Sequence, residues 1–216
     1  MKTKRIISLL LVLIFASSLK AQNVFTPDLS AVNGKGWNGK FISAELTKKD
    51  NVDAVIITKT DNDDLMWLDG FNFTNGTIEF DAKGKSAPPQ SSFVGIAFRV
   101  VDENIYDAVY FRPFNFRAAN PENKSHAVQY ISHPDWTWSR LRKEHKGEFE
   151  KPIEPAPDGD EWFHARIVIQ KPDIKVYVNG ASEPSLTVKE LSDRKDGSVG
   201  LWCNVFGIIA NLKITQ

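Results

Sequence analysis

Apolar and polar residues alternate along most of this sequence, in short runs that end at turn-forming residues. In the run WFHARIVIQ, Phe163, Ile167 and Ile169 fall on one side of an extended chain, while His164 and Arg166 fall on the other. This period of two is typical of a strand with one buried face, because successive side chains of a strand point to opposite faces. Many such strands without helices between them bury their apolar faces against each other. We therefore predict an all-β fold, an antiparallel two-sheet β-sandwich or jelly roll.

The first 21 residues have the layout of a secretory signal peptide. Three basic residues within the first five positions precede an apolar run at 6–16, which is interrupted only by Ser8, and small and polar residues follow. The apolar run is shorter than the stretch of about 20 residues that spans a membrane. We expect residues 1–21 to be cleaved and residues 22–216 to form one secreted domain, periplasmic or extracellular, without a membrane span.

Charge and cysteine content narrow the function classes. The chain carries 27 basic and 27 acidic residues, but four basic residues and no acidic ones lie in the leader, so 23 basic residues remain beyond it. A nucleic-acid-binding domain would need a basic excess, and we predict no such partner. Cys203 is the only cysteine, which excludes an internal disulfide and a cysteine-based zinc site. Its alternation with Val199 and Leu201 predicts a buried thiol rather than a nucleophile.

The order of elements in the C-terminal third suggests a known superfamily. A strand that starts with Trp is followed by a strand that ends in an Asn-Gly turn, and then by a Gly-Leu-Trp strand. The residues are Trp162, Asn179, Gly180, Gly200, Leu201 and Trp202. With the earlier segment GFNFTNGTIEFDAKGK, this order resembles concanavalin A-like lectin/glucanase domains, including laminin G-like modules, over most of residues 65–216. The resemblance implies a concanavalin A-like jelly roll, but no single activity, because the superfamily includes enzymes, lectins and adhesion modules.

The segment IEFDAK resembles the catalytic strand of family sixteen glycoside hydrolases in that superfamily. Glu79 and Asp81 occupy its first two acidic positions, and alternation places them on one side of a strand. A two-carboxylate glycosidase also needs an acid/base at the next positions, where this sequence has Lys83 and Lys85. We therefore predict no catalytic residues here and interpret Glu79 and Asp81 as solvated residues of an outer face.

Signals for metals and cofactors are weak. The four histidines share no ligand spacing, and no phosphate-binding glycine loop is present. The acidic segment DNDD at 61–64 could bind a structural calcium ion through its carboxylates, although an acidic surface turn is the favoured interpretation. We expect no cofactor.

Aromatic, arginine and amide side chains are concentrated in the segments YDAVYFRPFNFR and AVQYISHPDWTWSRLR. Alternation points Val109 and Phe111 toward the core, and Tyr110 and Arg112 toward the opposite face. Sugar rings pack their C–H faces on flat aromatic rings, and their hydroxyl groups need planar hydrogen-bonding partners. The resemblance implies that such residues line the concave sheet, where ligands bind. The predicted ligand-binding residues are Tyr110, Arg112, Asn115, Gln129, Tyr130, Trp138 and Arg142.

Two interpretations of these segments stay open. In the first, they line a groove for an oligo- or polysaccharide, and their arginines favour an anionic sugar such as a uronic acid. Arg112→Ala would then weaken glycan binding and leave the melting temperature nearly intact. In the second, the tryptophans form a second core and the arginines pair with Glu144, Glu148 and Glu150.

We predict a secreted, lectin-like carbohydrate-binding domain that is non-catalytic and associated with glycan use. The main alternative is a glycoside hydrolase or related sugar-cleaving enzyme, which would need two carboxyl groups facing each other in the groove. A laminin G-like protein-binding module is the third hypothesis, and it would present a flat apolar patch.

Overall fold

Strands make up about half of the part of the chain that the computed structural model describes, which is residues 22–40, 43–58 and 64–216. The predicted leader and the first three residues of DNDD lie outside these ranges. The described strands are β1 (Val24–Phe25), β2 (Trp37–Lys40), β3 (Ser43–Lys49), β4 (Val52–Thr58), β5 (Asp64–Leu68), β6 (Gly76–Lys83), β7 (Phe93–Asp102), β8 (Ile105–Phe111), β9 (Val128–His133), β10 (Glu150–Lys151), β11 (Phe163–Gln170), β12 (Asp173–Val178), β13 (Leu186–Lys189), β14 (Ser198–Asn204) and β15 (Phe206–Thr215). Two short helices are α1 (Pro121–Lys124) and α2 (Trp138–Glu144), and 3-10 turns lie at Leu29–Ala31 and Pro113–Asn115.

The strands form two antiparallel sheets. Sheet A has the order β13-β12-β11-β6-β15-β4-β3, and β1 also pairs with β15. Sheet B has the order β10-β9-β8-β7-β14-β5-β2. The prediction of an all-β antiparallel sandwich is confirmed.

Alternating apolar residues of both sheets form the core between them. Phe111 of β8 shows the contact directly: its ring lies 6.3 Å from that of Phe80 in β6 and 5.0 Å from that of Phe163 in β11. Cys203 is fully buried, as its alternation predicts. Because Phe111 faces sheet A, its neighbours Tyr110 and Arg112 project from the other face of sheet B.

Candidate functional site

A cavity of about 430 Å³ lies on the face of sheet B that is turned away from sheet A. Its volume is within the range of small-molecule sites. The lining combines aromatic, amide and cationic side chains: Pro89, Gln90, Phe93, Tyr110, Arg112, Phe114, Asn115, Asn123, His126, Trp138, Arg142, Trp202, Asn204 and Val205. The lining residues come from strands of sheet B, the 3-10 turn after β8, helices α1 and α2, and the loops at one end of the sheet.

The floor of the cavity is a pair of aromatic rings that a glycine brings together. In the sheet, Gly95 of β7 pairs with Tyr110 of β8 on one side and with Trp202 of β14 on the other. Because Gly95 has no side chain, the two rings approach to a centroid distance of 4.4 Å above it. The floor is therefore aromatic; its two rings are tilted by 31° against each other, and both side chains are almost fully buried.

Helix α2 forms one wall. Thr137 caps the helix by accepting a hydrogen bond from the backbone N–H of Arg140, at 3.4 Å. Trp138 and Arg142 are four residues apart, so they lie on one face of the helix. The guanidinium of Arg142 lies 5.2 Å from the ring centroid of Trp138, and Trp138 is 48% exposed. An exposed Trp138 at the cavity wall does not fit the second-core interpretation. Other parts of that interpretation agree with the structure: Trp136 packs against the core, and arginines of this helix pair with Glu144 and Glu150.

Two loops form the opposite rim. The hydroxyl of Ser92 donates a hydrogen bond of 2.8 Å to the carbonyl oxygen of Phe206, which joins the loop before β7 to the loop between β14 and β15. Each loop contributes a lining residue with positive φ, Gln90 at 61° and Val205 at 67°. For a β-branched residue such as Val205 this conformation is rare, and strained backbone of this kind clusters at functional sites.

Glu150 holds the cationic side chains of the cavity in place. Its carboxylate accepts two hydrogen bonds from Arg142, at 2.9 and 2.7 Å, and lies 3.6 Å from Nη1 of Arg112. Nδ1 of His126 lies 2.9 Å from the same carboxylate. Burial lowers the pKa of His126, and Arg142 and Arg112 act in the same direction, whereas Glu150 opposes them. At neutral pH the group thus carries two positive charges and one negative charge.

The cavity brings together most of the predicted ligand-binding residues. Five of the seven line it: Tyr110, Arg112, Asn115, Trp138 and Arg142. Gln129 is completely buried and accepts hydrogen bonds from the hydroxyl of Tyr110, at 2.9 Å, and from Arg112. It supports the site from the sheet.

Tyr130 lies elsewhere, so the prediction that it shares a groove with the other six residues is wrong. It pairs with Val109 across the β8–β9 ladder, so it shares the face of sheet B that packs on sheet A. Its hydroxyl donates a hydrogen bond of 2.6 Å to Asp107 and accepts one of 3.1 Å from the backbone N–H of Leu191. Tyr130 is a core residue.

Arg112 was expected to contact ligand and to contribute little to stability, but it is a buried part of the fold. It is only 5% exposed. Its guanidinium donates hydrogen bonds to the carbonyl oxygen of His126, at 3.0 Å, to the hydroxyl of Tyr110, at 2.6 Å, and to Gln129. Removing it would leave buried acceptors without their donor, so the structure leads us to expect a lower melting temperature for Arg112→Ala rather than an unchanged one.

Several lining residues were missed by the sequence prediction. Trp202 and Asn204 carried a usable signal, because residues that alternate with the core positions Leu201 and Cys203 must face the other side of β14. Phe93 carried a similar signal, because it starts β7 and alternates with the core residues Val94 and Ile96. His126 carried none, since it lies before β9, outside any strand.

Glu79 and Asp81 lie on the outer face of sheet A, on the opposite sheet from the cavity, because Phe80 between them packs into the core. They are paired rather than simply solvated. Asp81 Oδ1 lies 2.8 Å from Nδ1 of His164, and Glu79 lies 2.5 Å from Nζ of Lys213. Their partners give them a structural role in the outer face.

Asp81 is expected to make the fold sensitive to acid. Burial alone would raise the pKa of Asp81, but hydrogen bonds from His164, Asn211 and Lys49 outweigh it and lower that pKa from 3.8 to about 2. A carboxyl group with a lowered folded-state pKa contributes stability above its unfolded pKa, and the contribution is lost as the pH falls through the folded pKa. Asp81→Asn should lower the free energy of unfolding by about 2 kcal/mol near pH 5, and by less as the pH falls toward about 2.

The titration of His164 sets the upper end of the pH range over which the Asp81–His164 pair stabilises the fold. The hydrogen bond with Asp81 raises the pKa of His164 above 6.5, so its contribution is complete below 6.5 and is lost as the pH rises through the raised value. Urea unfolding of the wild type and Asp81→Asn from about pH 2 to about pH 9 measures the acid and the alkaline limit of this stabilisation. Asp53→Asn, which removes an exposed pair with Lys48, is the control and should cost less than about 1 kcal/mol. A deficit in Asp81→Asn that does not shrink in acid would contradict the assignment.

The described residues hold no group of three or more His, Cys, Asp or Glu side chains arranged to bind a metal ion. The calcium hypothesis for 61–64 falls on residues of which only Asp64 is described. A helix with the length and apolarity needed to cross a membrane is also absent from the described part of the chain.

Comparisons with known proteins place the chain. No curated protein matches it in sequence. Among solved structures it is similar to the carbohydrate-binding module CBM66 from Bacillus subtilis, with 14% identity over 83% of this chain and 95% of that one and a TM-score of 0.55. It is also similar to a putative glycosyl hydrolase from Parabacteroides distasonis (12% identity, 90% and 98% coverage, TM-score 0.55) and to the β-glucanase of Bacillus licheniformis (12% identity, 89% and 91% coverage, TM-score 0.51).

At such identities these likenesses establish the fold, and they confirm the concanavalin A-like sandwich that the sequence resembles. The family is established separately, by a model that matches residues 27–203, which is well over half of the chain. Its description is a 3-keto-alpha-glucoside-1,2-lyase-like domain. The chain belongs to the family of 3-keto-alpha-glucoside-1,2-lyase-like domains.

Proposed function

We propose that this protein binds carbohydrate in the cavity of sheet B, as a secreted domain associated with glycan use. The observation that carries the proposal is the exposed ring of Trp138 at the wall of a cavity with an aromatic floor. A sugar ring would find in Trp138 a flat, exposed surface for its C–H face. Amide groups of Gln90, Asn115, Asn123 and Asn204 line the same cavity and suit its hydroxyl groups.

The charges of the cavity favour binding over two-carboxylate hydrolysis. None of the described residues that line the cavity is an aspartate or glutamate. Glu150, the nearest carboxylate described above, is 3% exposed and is shared by Arg112, Arg142 and His126. A glycosidase of the usual type needs two carboxyl groups on either side of the scissile bond. The two guanidinium groups also favour a sugar with negative charge.

A second candidate is proton-transfer chemistry on a sugar, and His126 favours it. The family is described as lyase-like on 3-keto-α-glucosides, and elimination next to a ketone needs a base for an acidic C–H proton. If the neutral His126 donates its Nδ1–H to Glu150, Nε2 is left as a proton acceptor. A laminin G-like protein-binding role is favoured by none of these features.

The two candidates are separated by one assay. The domain is incubated with a 3-keto-α-glucoside, and NMR follows both the ligand and any product. If the domain is a lectin, the spectra should show binding and no turnover. Turnover by the wild type that His126→Gln abolishes would establish the catalytic candidate and reject the non-catalytic one. Asn123→Ala, a variant of another lining residue, is assayed for comparison.

Trp138→Ala tests the binding site itself. We expect glycan affinity to fall about tenfold or more, because a large aromatic contact surface is lost. The free energy of unfolding should change by less than about 1 kcal/mol, since the exposed ring contributes mainly its contact with the guanidinium of Arg142. Isothermal titration with a glycan identified on an array, and thermal unfolding, measure the two quantities.

The control for this experiment is Trp162→Ala. Trp162 is half-buried just before β11 of sheet A, where the ammonium of Lys49 lies 5.6 Å from its ring centroid. This substitution should leave glycan binding unchanged. Equal affinity of wild type and Trp138→Ala would place the ligand elsewhere.

A further inference from the structure

We infer that Arg142 makes this cavity select sugars that carry a carboxylate group, an inference that rests on the proposed binding of carbohydrate in the cavity. It concerns which group of the ligand is recognised and which of the two arginines recognises it.

The balance of charge at the site is positive. Two guanidinium groups share one carboxylate, that of Glu150, and the lining residues that the structure describes include no other acidic side chain. A further carboxylate near the site is that of Glu122, 3.8 Å from Nε2 of His126. The ammonium of Lys146 lies 3.2 Å from the Glu122 carboxylate and balances its charge. An anion that enters the cavity would therefore meet one uncompensated positive charge in a partly water-excluded site, where charges interact more strongly than in bulk water.

The two arginines are not equally available to a ligand. Arg112 is buried, and its hydrogen bonds go to Tyr110, Gln129 and the backbone of His126. Its role is to position the floor.

Arg142 has a side chain that is 31% exposed. Its Nε and Nη2 donate hydrogen bonds to Glu150, which fixes the plane of the guanidinium. Among the described residues, the structure shows no hydrogen bond from its Nη1. The Nη1 N–H groups are thus donors on a preoriented cation at the cavity wall. A sugar carboxylate is a suitable acceptor, because charge-assisted hydrogen bonds are about twice as strong as neutral ones.

The position of Trp138 is consistent with this geometry. Its ring lies beside the guanidinium of Arg142 on the same helix face. A sugar ring packed on Trp138 would bring its substituents next to Arg142. A carboxylate in place of a hydroxymethyl group would gain the ionic contact without any change in how the ring packs.

The test is a glycan array that carries each sugar in an acidic form and in a neutral form, such as oligogalacturonates and their methyl esters. The wild type should bind an acidic form about tenfold or more tightly than its neutral partner. The preference should weaken as salt is raised. The best pair is then measured by isothermal titration with Arg142→Gln, Arg142→Lys and Arg140→Gln.

Arg142→Gln should remove the preference for the acidic form. Arg142→Lys should keep part of the preference, because it keeps the charge but loses the planar fork. Arg140→Gln is the matched control: it lies on the same helix, pairs with the exposed Glu144 at 3.0 Å and does not line the cavity. It should behave like the wild type. If Arg142→Gln does not fold, Arg142→Lys and the salt dependence of the wild type decide.

The outcomes are distinguishable. Equal affinity of the wild type for acidic and neutral forms would overturn the inference and leave the proposed function intact. An acidic preference that survives in Arg142→Gln would overturn the role of Arg142. Absence of binding to every sugar on the array would overturn both the inference and the proposed function.

Discussion

Replacing Glu150 with alanine is expected to lower the free energy of unfolding by about 3–5 kcal/mol. The carboxylate is nearly completely buried and is the common partner of Arg142, Arg112 and His126. Its loss leaves two guanidinium groups close together without a counter-charge, one of them buried. The large cost comes from these uncompensated charges rather than from the net value of the ion pairs.

Urea unfolding of the wild type and Glu150→Ala, followed by circular dichroism, measures this loss. The matched control is Glu144→Ala. Glu144 also pairs with an arginine, Arg140 at 3.0 Å, but both side chains of that pair are more than two-fifths exposed. The control should cost less than about 1 kcal/mol. A Glu150→Ala protein as stable as the control would mean that solvent or other groups compensate the arginines, and the description of the cavity as a fixed cationic site would be wrong.

Gly95→Ala is expected to have the second large effect, on stability and on the cavity together. A methyl group on Gly95 would lie 2.2 Å from the carbonyl oxygen of Val109 and 2.6 Å from Cα of Tyr110. These are backbone atoms of the neighbouring strand, so they cannot move aside without disturbing the ladder. We expect a loss of about 1–3 kcal/mol or more from overpacking, together with separation of the rings of Tyr110 and Trp202 that meet above the glycine.

Thermal unfolding and the near-ultraviolet circular dichroism of the aromatic residues report these two effects separately. Gly34→Ala is the control, because a methyl group there would meet only the carbonyl oxygen of Ala31, at an ordinary 3.6 Å. That substitution should change the free energy of unfolding by less than about 1 kcal/mol. Unchanged stability and an unchanged aromatic spectrum in Gly95→Ala would show that the floor does not depend on the close approach of these strands.

The face on which a strand residue lies was predictable from local sequence. Alternation correctly assigned Phe163, Ile167 and Ile169 to the core, and it separated Tyr110 from Phe111. The resemblance to concanavalin A-like domains added the sandwich architecture. The same alternation also contained the correction for Tyr130, because Gln129 and Tyr130 are neighbours on one strand and cannot both face one groove.

The helix at the cavity wall was only partly predictable. TWSRLRKEH had a capping threonine and suitable spacing, and α2 lies there. The second interpretation named Glu150 as an arginine partner, and Arg142 is that partner. The position of Glu150 beside the cavity could not be foreseen, since β10 has only two residues and shows no periodicity. Pairing with Gln129 in β9 places Glu150 beside the cavity, and that pairing depends on how the preceding loop returns to the sheet.

The composition of the cavity was decided by strand order and register. Tyr110, Gly95 and Trp202 are neighbours only because β8, β7 and β14 are adjacent in sheet B, although Trp202 is about 90 residues from Tyr110 in sequence. A period of two tells which face a side chain occupies, since it follows from the geometry of one strand. Which side chains meet on that face follows from packing of the whole core, because only the complete set of buried contacts selects one order and one register of the strands.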